Sequence, residues 1–141
     1  MSLDQNKLAR PLAAYSHTRT VGSLVFIAGQ GCRDPETNIW AGVEFGPDGK
    51  ATRIDFEAQV RGVFRNVERA LASAGLGKSD LVDIQVFLTD MNAQFQVMNH
   101  VWNEFFADVS APPTRTTVAV RELPGLNLIE MKPIAARTGQ T

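Results

Sequence analysis

The chain is poor in the residues that build metal and disulfide chemistry. Its 141 residues include one cysteine, two histidines and one tyrosine. The lone Cys32 can form no internal disulfide and no thiolate-rich zinc site. His17 and His100 are too few for an imidazole cage, so no metal is expected. Charge of one sign is also missing. Fourteen Lys and Arg stand against fifteen Asp and Glu, for a net charge of −1. That disfavours general binding to nucleic acid or anionic membranes. The longest dense apolar run, Leu24-Val25-Phe26-Ile27-Ala28, falls far short of the roughly 20 residues that cross a bilayer. The start, Met1 to Lys7, has no basic patch followed by an apolar stretch, so no secretory leader is expected. A reducing, cytoplasmic setting is the expectation that follows.

What is present suits one globular domain. Hydrophobic residues make up 44% and charged residues 21%, near the usual balance. No internal repeat or low-complexity tract interrupts the chain. Residues 1–20 are mixed and polar, a lead-in or an edge strand. Residues 23–28 are apolar on both faces between two glycines, which predicts a strand covered on both sides. Residues 31–52 carry two turn signals, Pro35-Glu36-Thr37-Asn38 and Pro47-Asp48-Gly49-Lys50, which predict a hairpin or strand pair. From Asp55 the period becomes helical. Phe56, Val60, Val63, Phe64, Val67, Leu71 and Ala74 share one face, with Arg61, Arg65, Asn66 and Arg69 on the other. Asp55 suits the start of this helix and Gly75 its stop. Alternation of Ile84, Val86 and Leu88 predicts a strand. A second helix opens at Asp90, with Phe95, Met98, Trp102, Phe105 and Phe106 as its buried face. Pro112-Pro113 stops it. Two more strands follow, over Arg115–Arg121 and from Leu128 to about Ala136. The expected fold is α+β, with both helices on one face of a mixed sheet.

Two charges sit where a strand should be apolar or quiet. Glu130 lies inside Leu128-Ile129-Glu130-Met131, and a carboxylate there must find a partner or be pushed toward its neutral form. Arg115 opens a strand just after Pro112-Pro113-Thr114, where its fork could hold a carboxylate by two parallel hydrogen bonds. On pattern alone both also fit solvent-facing strand positions, and that reading is the commoner one. Gly29-Gln30-Gly31 either ends a strand or brings backbone N–H groups near a ligand. Cys32 reads as a quiet, partly buried thiol. His17 and His100 read as surface residues.

Several strings in order carry a resemblance that spans residues 15–136. They are Val25-Phe26-Ile27-Ala28-Gly29-Gln30, then Asn66 to Leu71 with Ala74-Gly75-Leu76, then Val86-Phe87-Leu88-Thr89-Asp90-Met91. Phe95 to Asn99 with Phe105-Phe106 follows. Pro113-Thr114-Arg115-Thr116-Thr117-Val118-Ala119-Val120 and Leu123-Pro124 with Ile129-Glu130 complete the set. Together they resemble the reactive-intermediate deaminase family, RidA/YjgF. The resemblance implies a fold similar to chorismate mutase. It also implies a homotrimer, or trimers paired as hexamers, with ligand clefts between subunits. No cofactor is implied, and the ligand is a small carboxylate. Arg115 matches the arginine that binds the substrate carboxylate, and Glu130 the glutamate that positions a water. Tyr15, Gly29 and Asn99 match substrate-contacting positions. Thr117 stands where housekeeping members often carry cysteine, and Ala28 where they carry serine. The stretch from Arg33 to Lys50 is longer than in compact members. Arg33 and Pro35, with the Arg115–Val120 string and Leu123-Pro124, look most like the 2-aminomuconate deaminase branch. That branch implies a dicarboxylate substrate and a place in aromatic-compound degradation. Two carboxylates call for a second cation, and Arg33, by its position just after the strand-end loop, or in second place Arg19, is expected on the distal one. General 2-aminoacrylate-type deamination and a non-catalytic ligand-binding role remain as alternatives.

Overall fold

The structure, a computed structural model, describes residues 8–137; residues 1–7, with part of the polar lead-in, lie outside it. The elements run β1 (Thr18–Val21), β2 (Leu24–Ile27), β3 (Val43–Phe45), β4 (Ala51–Ile54), α1 (Phe56–Ser73), β5 (Leu81–Leu88), α2 (Met91–Phe105), β6 (Thr114–Ala119) and β7 (Ile129–Ala136). Five strands form one sheet in the order β1-β2-β7-β5-β6, and β3 and β4 form a separate hairpin. β6 runs parallel to β5, while the other pairs in the sheet are antiparallel. The mixed sheet with two helices on one face is thus as the sequence predicts.

Local chemistry sets the boundaries. Asp55 caps α1 by accepting from Ala58 N, and Asp90 caps α2 by accepting from Ala93 N, each meeting an orphan helix donor. Gly75 ends α1 at φ +74°, a conformation that L side chains resist. Its N–H bonds to Ala72 O and that of Leu76 to Leu71 O, which closes the helix end. Residues Pro47–Lys50 make the turn between β3 and β4, so the hairpin lies later than the whole 31–52 stretch suggests. The residues after Gly31 form a tight loop instead, with Asp34 accepting from Glu36 N and Thr37 N.

The core lies between the sheet and the helices. Val25, Ile27, Ile84, Val86, Leu88, Ile129 and Met131 supply its strand side, and Val60, Val63, Val67, Leu71 and Met98 its helix side. Burying such side chains contributes about 1.5–3 kcal/mol each. Because side chains alternate along a strand, the sheet has a second face, and it is open. Leu24 is 40% and Phe26 38% exposed. The expectation that β2 is covered on both sides therefore fails for the single chain, since its alternate apolar residues face away from the helices.

One polar residue of α1 is misread by the helical wheel, and a second, Gln59, carries no assignment from the sequence. Asn66, assigned to the outer face, is buried, and donates through Nδ2 to Gly31 O and Arg33 O. The loop after β2 covers that side of the helix. Gln59 is fully buried. It donates to Leu126 O at 2.9 Å and accepts from Leu128 N at 2.8 Å, so α1 clamps the chain just ahead of Glu130. No helix is long and apolar enough to cross a membrane among the described residues.

Candidate active site

Glu130 sits on β7 between Ile129 and Met131, which enter the core. Its side chain therefore points to the open face. It is half-buried, and burial raises its pKa above the ordinary glutamate value. Among the described residues its carboxylate has no hydrogen-bond donor or cationic partner. Gly29 lies against it. A Cβ added at Gly29 would collide with Glu130 Oε1 and lie 3.2 Å from Cδ, so only a glycine leaves the carboxylate its place. The Gly29 N–H makes no hydrogen bond among the described residues, while its neighbours are tied to His17 O and Met131 O.

Two clefts meet at this pair. A smaller one, of about 190 Å³, brings Tyr15, His17, Gly29, Arg33 and Glu130 together. A wider one, of about 470 Å³, is lined by Tyr15, Arg19, Gly29, Glu130 and Lys132. Tyr15 is 52% exposed and flanks both. Arg33 donates to Arg10 O at 3.1 Å. His17 is half-buried at the cleft wall rather than on the free surface. His100 is exposed beside Glu104. Cys32 is buried, donates to Asn127 Oδ1 and has its thiol pushed up to about 11 by burial, so it is the quiet thiol the sequence suggests.

Arg115 lies elsewhere. Its register partner on β5 is the core residue Ile84, which places it on the helix-covered face, at the sheet edge. The guanidinium Cζ stands 4.9 Å from the Trp102 ring centre and 5.8 Å from that of Phe95, and one of its N–H groups reaches Met98 Sδ at 3.7 Å. Cation–π contact holds the fork in place. Burial lowers its pKa from the usual value, and among the described residues no carboxylate pairs with it. Phe95 is 37% exposed, contrary to its assignment to the buried stripe, because its ring walls this arginine instead of entering the core. Thr117, two residues on, has a buried Oγ1 with no hydrogen-bond partner among the described residues. Asn99 is half-buried on α2, next to Met98.

The anticipated residues thus fall into two groups. Tyr15, Gly29, Arg33 and Glu130 line one cleft, with Glu130 reaching it from the open face. Arg115 and Thr117 lie on the helix side, with Asn99 on the adjoining helix. Glu130 pairs in register with Phe87, and Phe87 with Val118, so the sheet itself separates Glu130 from Arg115 within one chain. Sequence reasoning missed Lys132, a half-buried lysine on the open face. It donates through Nζ to Ile27 O, and burial lowers its pKa. Its signal was a second charge in the β7 alternation. Among the described residues no three His, Cys, Asp or Glu side chains gather as for a metal ion.

Fold and site define a small α+β protein of the chorismate-mutase-like class, with an acid and an arginine, both unpaired among the described residues, on opposite faces of its sheet. A family model described as Endoribonuclease L-PSP matches residues 6–137, and the chain belongs to that family, which is also the RutC, YjgF and RidA family. A RutC family protein of Pyrococcus abyssi is 36% identical over 129 residues, covering 92% of this chain and 91% of its own. Escherichia coli TdcF, named as a candidate reactive intermediate deaminase, is 33% identical over 84% of this chain and 82% of its own. The crystal structure of E. coli TdcF with bound serine superposes with a TM-score of 0.79 at 30% identity, covering 94% of this chain and 95% of that one. The E. coli YjgF structure gives 0.77 at 28%, covering 94% of each.

Proposed function

We propose that the chain is a hydrolytic enamine/imine deaminase, acting between copies of itself. The observation that supports this is the pair of unpaired groups. A half-buried arginine without an acid and a half-buried acid without a base among the described residues are each costly alone. Both costs are offset if an anionic, protonatable ligand lies between them. The sheet keeps the two apart in one chain, so the ligand is sandwiched when the open face of one copy meets the Arg115 edge of the next. Exposed Leu24 and Phe26 give that face its apolar contact, a head-to-tail contact of this kind closes into a ring by rotational symmetry, and the family resemblance is what makes that ring a trimer, or trimers in pairs.

In this reading Arg115 grips the carboxylate next to the reacting carbon with two parallel N–H donors. The enamine tautomerises to the imine, whose protonated form is electrophilic. Glu130 takes a proton from a water as its oxygen bonds to the imine carbon. It then returns that proton to the nitrogen. As the carbon–nitrogen bond breaks and ammonia leaves, the ionised Glu130 takes the proton of the new hydroxyl, and a 2-oxo acid remains. The Gly29 N–H, Thr117 Oγ1 and Asn99 orient the ligand, and Tyr15 closes the cleft. Glu130 must be ionised to act, so the acid limb of the rate profile falls above the ordinary glutamate range.

The substrate proposed is 2-aminomuconate, giving 2-oxohex-3-enedioate and ammonia. Its support is the branch-like string at Arg115–Val120 and the basic residues lining the clefts. A general deaminase of 2-aminoacrylate-type enamines is the second reading, favoured by the likeness to TdcF. Ammonia release from freshly generated 2-aminomuconate and 2-aminoacrylate separates them. At least about tenfold higher kcat/KM on the first supports the dicarboxylate reading, equal rates support the second, and no ammonia from either refutes the deaminase. Gly29→Ala is expected to move the Glu130 carboxylate and lower kcat about a hundredfold, as small misplacements at a reacting centre do. A fold that melts as the parent does, with activity lost, would confirm the contact.

A further inference from the structure

The charges around Glu130 are lopsided. Across the two clefts that meet there, the linings carry Arg10, Arg19, Arg33 and Lys132 against the single carboxylate of Glu130. The chain as a whole has one more acid than base, so this is local placement and not composition. Two of the four cations share the wider cleft and the open face. Arg19 pairs in register with Phe26, and Phe26 with Ile134, which puts Arg19 on the face that carries exposed Phe26. Lys132 follows Glu130 by two residues on β7, hence on the same face and about 6–7 Å along the strand. Among the described residues neither cation pairs with a carboxylate. The Lys132 ammonium is partly desolvated, and among the described residues it meets only a neutral carbonyl, that of Ile27. A desolvated cation held by a neutral dipole is poorly compensated, and an anion in the cleft would compensate it.

We propose that Arg19 and Lys132 are the specificity-determining pair of this site. They hold the carboxylate remote from the reacting carbon, so the site selects extended dicarboxylates over monocarboxylates. This rests on the deaminase reading for its chemistry, though not for the binding itself. It moves the distal contact from Arg33, which lines the smaller cleft and already donates to Arg10 O, to Arg19, the second candidate of the sequence, joined by Lys132.

The test uses the full chain and two unreactive probes, cis,cis-muconate and crotonate, with binding followed by calorimetry. The parent is expected to bind muconate at least about a hundredfold more tightly, the scale of two charge-assisted contacts. Arg19→Gln and Lys132→Gln should each weaken muconate by a factor at least about tenfold larger than for crotonate, and together should remove the preference. A parent with no preference overturns the inference. So do equal losses on both probes, a preference lost only in Arg33→Gln, or variants that merely weaken the oligomer in sedimentation. A short oligoribonucleotide that binds with the same dependence on Arg19 and Lys132, where muconate does not, would also overturn it and assign the cations to phosphate. Muconate selectivity carried by Arg19 and Lys132 in a chain that releases no ammonia would sink the deaminase reading alone.

Discussion

Arg115→Ala is expected to lower kcat/KM for enamine hydrolysis at least about a hundredfold, the scale of losing a bidentate charge-assisted pair. The geometry of the guanidinium sets that scale. It is held by Trp102 and Phe95 rings and by Met98, with no carboxylate partner among the described residues. Removing it breaks no ion pair of the fold, so the chain should still fold and assemble. Arg115→Lys should recover only part of the loss, since an ammonium offers no planar fork. An unchanged rate in Arg115→Ala would remove this residue from the site. The same variant tests where the site lies. Co-assembled with an inactive Glu130→Gln chain, it should regain about a quarter of parental activity, because one in four randomly mixed interfaces carries both intact groups. Mixtures that stay inactive would mean that the two residues do not serve one ligand across an interface.

The second large effect belongs to Glu130. Glu130→Gln is expected to lower kcat by about 10²–10⁴, the usual contribution of a positioned acid–base group, while ligand binding largely survives. It should also make the protein more stable at neutral pH. Burial raises the Glu130 pKa in the folded chain, so the unfolded chain loses its proton first as pH rises. Stability is therefore complete below the unfolded value, about 4.3, and falls as pH climbs from there through the raised folded value. Glutamine carries no such penalty. Thermal melts of the two proteins should converge in acid and separate toward neutrality, with the variant higher. A variant that is less stable at neutral pH would show that Glu130 is structurally paired, contrary to its environment.

Much of the fold was legible because it follows from periodicity and end signals. Both helices start at the expected aspartates and α1 closes at the expected glycine, since caps are local chemistry. The errors came where tertiary placement overrides local pattern. Phe95 fits an apolar stripe but is needed beside a cation. Asn66 fits a solvated face but meets the carbonyls of a loop folded over it. β2 reads as buried on both sides because its outward residues are apolar, while its own chain supplies nothing to cover them. The candidate site was legible as single residues, Arg115 and Glu130 being charges at odd strand positions. Their separation was not. Which face a side chain takes depends on strand register across β5, and no single string in the sequence encodes that. Lys132 was hidden for the opposite reason, as a charge that fits strand alternation without comment.

The separation of acid and arginine by one sheet thickness has a consequence for counting. If each ligand lies between the open face of one chain and the edge of the next, sites belong to contacts and not to chains. A lone chain would then hold none, and an open string one fewer than its members. Only a closed ring leaves no half-site idle at an end. Dilution would extinguish the chemistry in step with dissociation, and specific activity would follow protein concentration below that point.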